Sequence, residues 1–268
     1  MERNIQCGTD WARELVKIMR KLRAPGGCPW DREQTHQSLK EYLAEEAAEL
    51  YDAIDDADDK AVVEELGDVL LQVVFHSTIA AEDNRFDFQD VARVCCEKLV
   101  RRHPHVFGES GVDSSEEVVK QWDAIKKVEK GTERNSVLSG VPRHLPALHR
   151  AHKLQGKAAK VGFDWPSVEG VVAKIEEELG EVKHALAQED SAAVEEEIGD
   201  LLFAVVNLSR FRKRVAEELL HATIKKFERR FQIVESTISR QGRSLSDCSL
   251  AELEALWQEA KHVERKPS

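Results

Sequence analysis

Apolar side chains recur every three or four residues through most of this chain, which is the spacing of one face of an α-helix. In the first half, one such stripe comprises Leu43, Ala47, Leu50 and Ile54, and the next comprises Val62, Leu66, Val69, Leu70 and Val73. The second half repeats the arrangement with Ile175, Leu179, Val182 and Leu186, followed by Ile198, Leu201, Leu202 and Val205. The pattern predicts pairs of amphipathic helices whose stripes face a core.

Local signals place the ends of several of these helices. Ser38 and Glu41 have the spacing of a capping box, and the Asp-rich stretch 55–59 predicts a turn between the first two striped helices. Ser114 and Glu117 predict the start of another helix further on. With only 14 Gly and 7 Pro in 268 residues, long helices are favoured over a sandwich or barrel rich in turns. We expect an all-α protein.

The chain contains an internal repeat. Residues 45–74 match residues 177–206 without a gap, and Trp30-Asp31 resembles Phe163-Asp164. The segment from Lys98 resembles the segment from Lys226, where the first copy has four extra residues (the offset is 128 instead of 132). The repeat predicts two helical-bundle domains, at 1–107 and 147–268, joined by a linker with one helix at 108–146.

Each copy carries the acidic pattern E-E-x-x-E followed by E-x-x-D. The corresponding residues are Glu45, Glu46, Glu49, Glu65 and Asp68 in the first copy, and Glu177, Glu178, Glu181, Glu197 and Asp200 in the second. Carboxylates three residues apart are neighbours on a helix, so the pairs face each other if the helices pack antiparallel. Gly67 and Gly199, inside E-x-x-D, suggest a close helix approach.

Four converging carboxylates repel one another unless a cation compensates their charge. Hard oxygen ligands without His or Cys suit Mg²⁺, or Mn²⁺, and Mg²⁺ commonly bridges carboxylates to phosphates. An ordinary solvated acidic face is the alternative, and repetition of the whole pattern in register makes it the weaker one. The pattern therefore predicts two metal sites that bind phosphate groups.

Net charge, cysteine content and the absence of targeting signals indicate the partners and the cellular compartment to expect. The formal net charge of −11 argues against a broad surface for a nucleic-acid polymer. The five cysteines are odd in number and include no C-x-x-C pair, which is typical of reduced thiols. Neither a signal peptide nor a membrane-spanning segment is apparent, so we expect a cytoplasmic protein without a membrane partner. His103-Pro104-His105 is either a metal or phosphate contact or a helix-ending turn, and the turn is favoured.

Several strings together resemble a known family. They are GCPWDREQTHQSL from Gly27, EYLAEEAAEL from Glu41, EELGDVLLQVVFH from Glu64 and RRHPHVFG from Arg101, then LPALHRAHK, KVGFDW, EEEIGDLLFAVVNLSR and KFERRF in the second half. In this order they resemble the tandem-domain form of the MazG family of all-α nucleoside triphosphate pyrophosphohydrolases. The resemblance implies Mg²⁺-dependent hydrolysis between the α and β phosphates and a homodimer.

The resemblance also implies roles for particular residues. The four later carboxylates of each copy would bind Mg²⁺, and the predicted nucleotide-site groups are Lys174, Lys226, Arg229, Arg230 and Trp257. Glu177 and Glu45 are candidates for orienting or deprotonating a water molecule. The second copy is the preferred catalytic half because it has Lys174 where the first has Tyr42, although Ala193 replaces a lysine frequent in the family. The rival hypothesis is a non-catalytic helical dimer that binds a nucleotide or a protein partner.

Overall fold

All of the secondary structure described here is helical. A computed structural model of the protein describes residues 10–108, 111, 114–129 and 136–264. Within them lie twelve α-helices: α1 Trp11–Arg23, α2 Pro29–Glu33, α3 Leu39–Asp55, α4 Asp59–Glu82, α5 Phe88–Arg102, α6 Pro104–Phe107, α7 Ser115–Glu129, α8 Ala147–Ala159, α9 Val168–Ala187, α10 Ser191–Phe211, α11 Ala216–Arg240 and α12 Leu250–Glu264. A short 3₁₀ turn covers Leu245–Asp247. The prediction of an all-α protein is confirmed.

The chain divides into two compact units, residues 1–130 and 131–268. In the first, α3 and α4 form the central helix pair, and α1 packs on α4. Its core consists of Met19, Leu39, Val74, Phe75 and Ile79. Ala57, with φ of 54°, makes the turn between α3 and α4, and the Asp58 carboxylate caps α4 by accepting from the Lys60 backbone N–H at 2.9 Å.

The second unit repeats this central hairpin with α9 and α10. Glu189, with φ of 55°, makes its turn, and the Asp190 carboxylate caps α10 by accepting from the Ala193 backbone N–H. Helix α8 packs on α10 and α11, and α12 packs on α11. A left-handed residue followed by an Asp cap therefore closes both hairpins at equivalent positions, as the predicted duplication requires.

The predicted capping box at Ser38 is wrong. Ser38 has helical backbone angles and makes no cap hydrogen bond with its side chain. Its hydroxyl instead accepts from the Thr35 backbone N–H at 2.9 Å and donates to the Gln34 side chain at 2.7 Å. The Ser38 hydroxyl thus forms its hydrogen bonds within the preceding turn and does not cap the helix. At the other predicted start, Ser114 Oγ accepts from the Glu117 backbone N–H at 3.2 Å.

Many residues predicted to face the core are exposed in the single chain. Leu66 is 51% exposed and Leu202 is 52% exposed. The same holds for Leu43, Ile54, Leu70, Val73, Leu179, Leu186, Ile198 and Val205. Periodicity identified residues that share a helix face, but each helix pair is too small to cover that face. A Cβ atom at Gly67 or Gly199 would likewise meet no atom within 4 Å in the described chain, so no close helix approach occurs there.

The boundary between the two units, after residue 130, falls inside the predicted linker 108–146. Helix α7 belongs to the first unit, where Glu129 pairs with Arg101 at 2.7 Å and with Arg102 at 2.6 Å. Within the described ranges, none of the helices is long and apolar enough to cross a membrane. Four of the five cysteines lie in those ranges, and all four are free thiols.

Candidate metal and nucleotide site

Three carboxylates converge in each central hairpin. In the first unit they are Glu46 and Glu49 from α3 and Glu65 from α4; in the second they are Glu178 and Glu181 from α9 and Glu197 from α10. In each group, one oxygen per residue lies within 4.8 Å of one from each of the others. The hairpin explains this arrangement, because it apposes two helix faces whose acids are three residues apart. Asp68 and Asp200, predicted as fourth ligands, fall outside these groups.

Glu178 is the most buried member of the second group, with 4% of its surface exposed. Its Oε1 lies 2.7 Å from Lys174 Nζ, which also lies 2.8 Å from Glu177 Oε1. These two carboxylates raise the pKa of Lys174 above its usual range. When the neighbouring carboxyl groups are ionised, Glu178 Oε2 is buried and receives no hydrogen bond from any described donor, because Glu181 can donate to Glu178 only while it keeps its proton. A buried carboxylate oxygen without a partner is costly, and a bound cation would compensate it.

The carboxyl groups oppose one another's ionisation. Hydrogen bonding to Glu178, followed by burial and the charge of Glu197, raises the pKa of Glu181. In the first unit, burial and then the charges of Asp68 and Glu49 raise the pKa of Glu46. Burial and the charge of Glu49 also raise the pKa of Glu65. Each group therefore holds a proton more tightly than an isolated carboxyl group does, and a divalent cation would replace that proton.

The donor set fits a hard divalent cation. Each group supplies carboxylate oxygens without His or Cys, which suits Mg²⁺ or Mn²⁺ better than zinc. The unpartnered Oε2 of Glu178 and the raised pKa of Glu181 are what such a set shows when no cation compensates its charge.

A cavity of about 800 Å³ opens beside the second group. Its lining residues from α9 and α10 include Lys174, Glu178 and Asp200. The rest of the wall is mostly apolar and aromatic, with a few polar side chains: Leu138, Leu154, Gln155, Ala158, Gly162, Phe163, Asp164, Trp165, Phe203, Ala204, Asn207 and Arg210. Small-molecule sites typically measure about 300–1,000 Å³ and combine apolar walls with a few polar groups.

A smaller cavity, of about 440 Å³, also borders the second group. It is lined by Glu177, Gly180, Glu181, His184, Ala185, Gln188, Asp190, Ala193 and Glu197. Four of these nine residues are acidic, so a phosphate chain would be repelled from this cavity unless cations screened the charge. Members of the second group thus border both a largely apolar cavity and an acidic one.

Residues that line the larger cavity have aromatic or larger counterparts in the first unit. Trp30, Tyr42 and Phe75 stand where the second unit has Phe163, Lys174 and Asn207. The Trp30 ring packs edge-on against Tyr42 at 5.7 Å and against Phe75 at 6.4 Å between centroids. Gln72, buried to 5% exposure, replaces Ala204. Aromatic side chains and this amide thus replace residues that border the cavity beside Glu178 in the second unit.

Of the predicted nucleotide-site residues, Lys174 on α9 lines the larger cavity, whereas four others lie on α11 and α12 and line neither described cavity: Lys226, Arg229, Arg230 and Trp257. Trp257 packs against Phe227, with ring centroids 5.1 Å apart, and the Arg230 guanidinium lies 5.9 Å from the Trp257 ring centre. These four side chains are therefore not part of the walls of the two cavities beside the carboxylates. Their predicted nucleotide contacts stay a prediction.

In the first unit, the arginines that match Arg229 and Arg230 are Arg101 and Arg102. Glu129 binds both, and their hydrogen bonds lower the pKa of this carboxyl group to about 2. Just beyond them, His103 ends α5 and Pro104 begins α6, so the H-P-H segment is a helix-ending turn.

Sequence reasoning did not single out Gln155, Asp164, Asn207 and Arg210. The only signal was indirect: Asp164 lies in KVGFDW, and Asn207 and Arg210 lie in EEEIGDLLFAVVNLSR. In the structure, Arg210 joins Asp164 to Asn207 on the wall of the larger cavity. Glu177 lines the smaller cavity beside Glu181, while Glu45 is exposed on α3.

Comparison with known proteins agrees with this geometry. The profile of the MazG nucleotide pyrophosphohydrolase domain matches twice, at residues 34–107 and 167–234, so each match contains one carboxylate group. The chain is 50% identical to the nucleoside triphosphate pyrophosphohydrolase/pyrophosphatase MazG of Thermotoga maritima, over 92% of this chain and 94% of that one. It is 45% identical to the nucleoside triphosphate pyrophosphohydrolase of Escherichia coli K12, over 93% and 97%. The chain therefore belongs to the MazG nucleotide pyrophosphohydrolase family, with two copies of the domain.

Proposed function

We propose that this protein hydrolyses ribo- and deoxyribonucleoside triphosphates between the α and β phosphates, releasing a nucleoside monophosphate and pyrophosphate. The observation that carries the proposal is the buried Glu178 carboxylate, which lies in a carboxylate group between a nucleotide-sized cavity and an acidic one. The names of the relatives from T. maritima and E. coli support the same activity. Such an enzyme would clear unwanted nucleotides from the cytoplasmic pool.

Magnesium is the proposed cofactor, with manganese as a possible substitute. Glu178, Glu181 and Glu197 would hold it, with Asp200 as a further ligand from the cavity wall. By the repeat, Glu46, Glu49, Glu65 and Asp68 are the corresponding residues of the first unit. When bound, the ion would neutralise phosphate charge and lower the pKa of a water molecule. Lys174 is the cationic side chain nearest to Glu178, and it would contribute to holding the phosphate chain.

The protein's own groups would position the reactants. In the reaction, the oxygen of water bonds to the α phosphorus, and the bond from that phosphorus to the bridging oxygen breaks. The bridging oxygen leaves with the pyrophosphate. Glu177 borders the acidic cavity together with Glu181 and Glu197, so its carboxylate is the proposed acceptor of the proton from water. Glu45 is its counterpart in the first unit.

We assign turnover to the second unit. Its carboxylate group adjoins an open cavity, whereas the first unit has Trp30, Tyr42 and Phe75 in the corresponding space. Tyr42 supplies no positive charge where the second unit has Lys174. The first unit retains carboxylates that suit a cation, but aromatic side chains replace residues that border the cavity in the second unit.

A homodimer is the proposed assembly. The central hairpins leave large apolar side chains exposed on faces predicted to be covered, such as Leu66 and Leu202. Gly67 and Gly199 lie on the same helices and leave open space above their Cα atoms, which would let another helix approach closely. A second copy of the chain would bury these faces, because symmetric pairing commonly completes small helical bundles.

The activity can be tested by incubating the full-length protein with mixed ribo- and deoxyribonucleoside triphosphates, with and without Mg²⁺. We expect monophosphates and pyrophosphate, and only when the metal is present. Diphosphates and orthophosphate would refute the proposed bond cleavage. Absence of turnover combined with nucleotide binding would favour the non-catalytic module instead.

The assignment to the second unit is tested with Glu178→Gln and Glu46→Gln as a matched pair. Both changes remove one negative charge from a carboxylate group while keeping the side-chain shape. We expect Glu178→Gln to lower kcat about 10²- to 10³-fold, as does loss of other preorganised electrostatic groups. Glu46→Gln should leave kcat within about twofold. Loss of activity in Glu46→Gln alone would mean that the first unit is the catalytic one.

A further inference from the structure

Two histidines and an arginine form a chain of hydrogen bonds in the first unit. His36 lies in the segment between α2 and α3, His76 lies on α4, and Arg85 lies in the connection between α4 and α5. His36 Nδ1 is 2.8 Å from His76 Nδ1, with the ring planes 7° apart, and Arg85 Nη2 is 2.7 Å from His36 Nε2. None of the three residues belongs to the carboxylate group of this unit.

These contacts determine where each imidazole carries its proton. A guanidinium group can only donate, so His36 Nε2 must accept from Arg85 and carries no hydrogen. The single N–H proton of the neutral His36 ring is then on Nδ1, which donates to His76 Nδ1. His76 in turn carries its own proton on Nε2. The network is therefore complete only when both rings are neutral and each is in one tautomer.

A second proton on either ring would break this network. On His36 the proton would go to Nε2, where it would face the N–H group of Arg85. On His76 it would go to Nδ1, where it would face the N–H group of His36. Burial, followed by the charge of His36, lowers the pKa of His76. The hydrogen bonds and the proton therefore compete for the same ring nitrogens.

The charged groups around the two rings do not favour an added positive charge. At this end of α4, Glu82 is paired with Arg23 of α1 at 2.7 Å, and Asp83 is paired with Arg85 at 3.3 Å. Asp87, at the start of α5, lies 4.0 Å from another arginine of α1. The charged side chains next to the segment along the chain are exposed: Arg32, Glu33, Lys40 and Glu41. Among the described residues, no carboxylate forms an ion pair with either imidazole.

The network attaches the segment before α3 to the core. Among residues 34–38, only the His36 side chain hydrogen-bonds to α4. Trp30, on the preceding helix α2, packs edge-on against Phe75 of α4, which is 3% exposed. Arg23 of α1 also donates to a backbone carbonyl of this segment at 3.2 Å, a contact that does not titrate near neutral pH. The histidine pair is thus the part of the attachment that responds to pH.

We propose that His36, His76 and Arg85 form a pH-sensitive latch, which holds the α2–α3 segment on α4 at neutral pH and releases it in mild acid. The latch belongs to the first unit, because Leu208 stands in the second unit where His76 stands in the first. Release would uncover the core beneath Trp30. The latch does not depend on the proposed function, since neither ring lines a described cavity.

The direction and the size of the response follow from proton linkage. An imidazole in the released segment has a pKa of about 6.5, whereas a latched imidazole stays neutral at lower pH. The latch is therefore fully stable above about pH 6.5 and weakens as pH falls below that value. For one imidazole, the ratio of released to latched protein should grow about tenfold between about pH 7.5 and about pH 5.5.

Hydrogen–deuterium exchange of the full-length protein at these two pH values measures the release. Exchange of the backbone amides of residues 29–38 is followed by mass spectrometry and corrected for the effect of pH on intrinsic exchange. His76→Leu introduces the residue that the second unit has and removes the acceptor. His76→Asn keeps an acceptor oxygen at the position of Nδ1 but does not titrate. The control is His221→Asn, which removes an exposed histidine of α11.

In the wild type and in the control, corrected exchange of residues 29–38 should rise about tenfold or more at the lower pH. His76→Leu should exchange fast at both pH values. His76→Asn should exchange like the wild type at neutral pH and respond less to acid. An acid response that is absent from the wild type, or equal in the wild type and both His76 variants, would overturn the inference.

Nitrogen-15 NMR of the wild-type imidazoles tests the latch without any substitution. At neutral pH we expect His36 to carry its proton on Nδ1 and His76 to carry its proton on Nε2. A proton on His36 Nε2 at neutral pH would contradict the hydrogen bond from Arg85 and overturn the latch. This measurement and His76→Asn keep the test decisive if His76→Leu does not fold.

Discussion

Gly170 on α9 provides a direct test of whether the larger cavity takes part in substrate binding. A Cβ atom at this position would lie 2.7 Å from Cε3 and 3.2 Å from Cδ2 of Trp165, which lines the cavity. Carbon atoms pack best about 3.5–4.0 Å apart, so Gly170→Ala must displace the indole by about 0.8 Å or more. The substitution therefore moves one wall of the cavity without touching the carboxylates.

The expected stability change is small because two effects oppose each other. Alanine is favoured over glycine inside a helix by about 1 kcal/mol. Overpacking costs about 1–3 kcal/mol, and the lower end applies here because Trp165 is 45% exposed and can shift. We expect Tm to change by no more than about 4 °C. Kinetics should respond more strongly, since misplacement of a binding group by about 1 Å can cost about 10²-fold in rate.

Steady-state kinetics with several nucleoside triphosphates, combined with thermal melts, measure both effects. Gly170→Ala should lower kcat/KM about tenfold or more, chiefly by raising KM. Gly156→Ala on α8 is the control, because a Cβ there meets nothing within 4 Å. It should raise stability by up to about 1 kcal/mol and leave kinetics unchanged. If Gly170→Ala becomes more stable with an unchanged KM, Trp165 does not contact the substrate.

Two further predictions concern charge. Because the pKa of Glu181 is raised in the folded protein, metal-free stability should fall as pH rises from about 4.5 through the folded pKa. Mg²⁺ should reverse this fall by binding the ionised carboxylates. Thermal melts across pH with Mg²⁺ or with a chelator measure the effect, and parallel curves would contradict it. Because the pKa of Glu129 is lowered to about 2, the stabilisation that it gives through Arg101 and Arg102 should be complete above about pH 4.5 and lost as pH falls through about 2. The difference in Tm between the wild type and Glu129→Gln should therefore be largest above about pH 4.5 and disappear as pH falls through about 2. A Tm difference that does not depend on pH would refute this prediction.

The two central hairpins and their carboxylates were predictable from the sequence because they depend on local spacing. Residues three apart on a helix are neighbours whatever the helix packs against, so Glu178 and Glu181 had to lie together. A short connection between two helices makes them antiparallel, which brings Glu197 next to Glu178 and Glu181. The internal repeat then required the same arrangement in the first unit.

Other features depend on what covers each helix face, and the sequence could not decide them. Periodicity placed Leu66 and Leu202 on apolar faces, yet both are exposed in the single chain, since a stripe does not specify its partner. The cap expected at Ser38 failed for a related reason. A serine hydroxyl can bond to several nearby backbone groups with similar energy, and the Ser38 hydroxyl bonds to the preceding turn instead of capping the helix.

The sequence by itself determined that this protein is a duplicated helical hairpin with an acidic group in each copy, because periodicity and i to i+3 spacing are properties of a single helix. Only the tertiary structure decided that the two copies differ in the space beside those groups. That difference comes from contacts between separate segments: Trp30 meets Tyr42 and Phe75 in one unit, whereas the other leaves a cavity bounded by Gln155 and Asn207. Packing of residues that are remote in sequence determines the volume of a cavity, and the cavity volume determines where a nucleotide can bind.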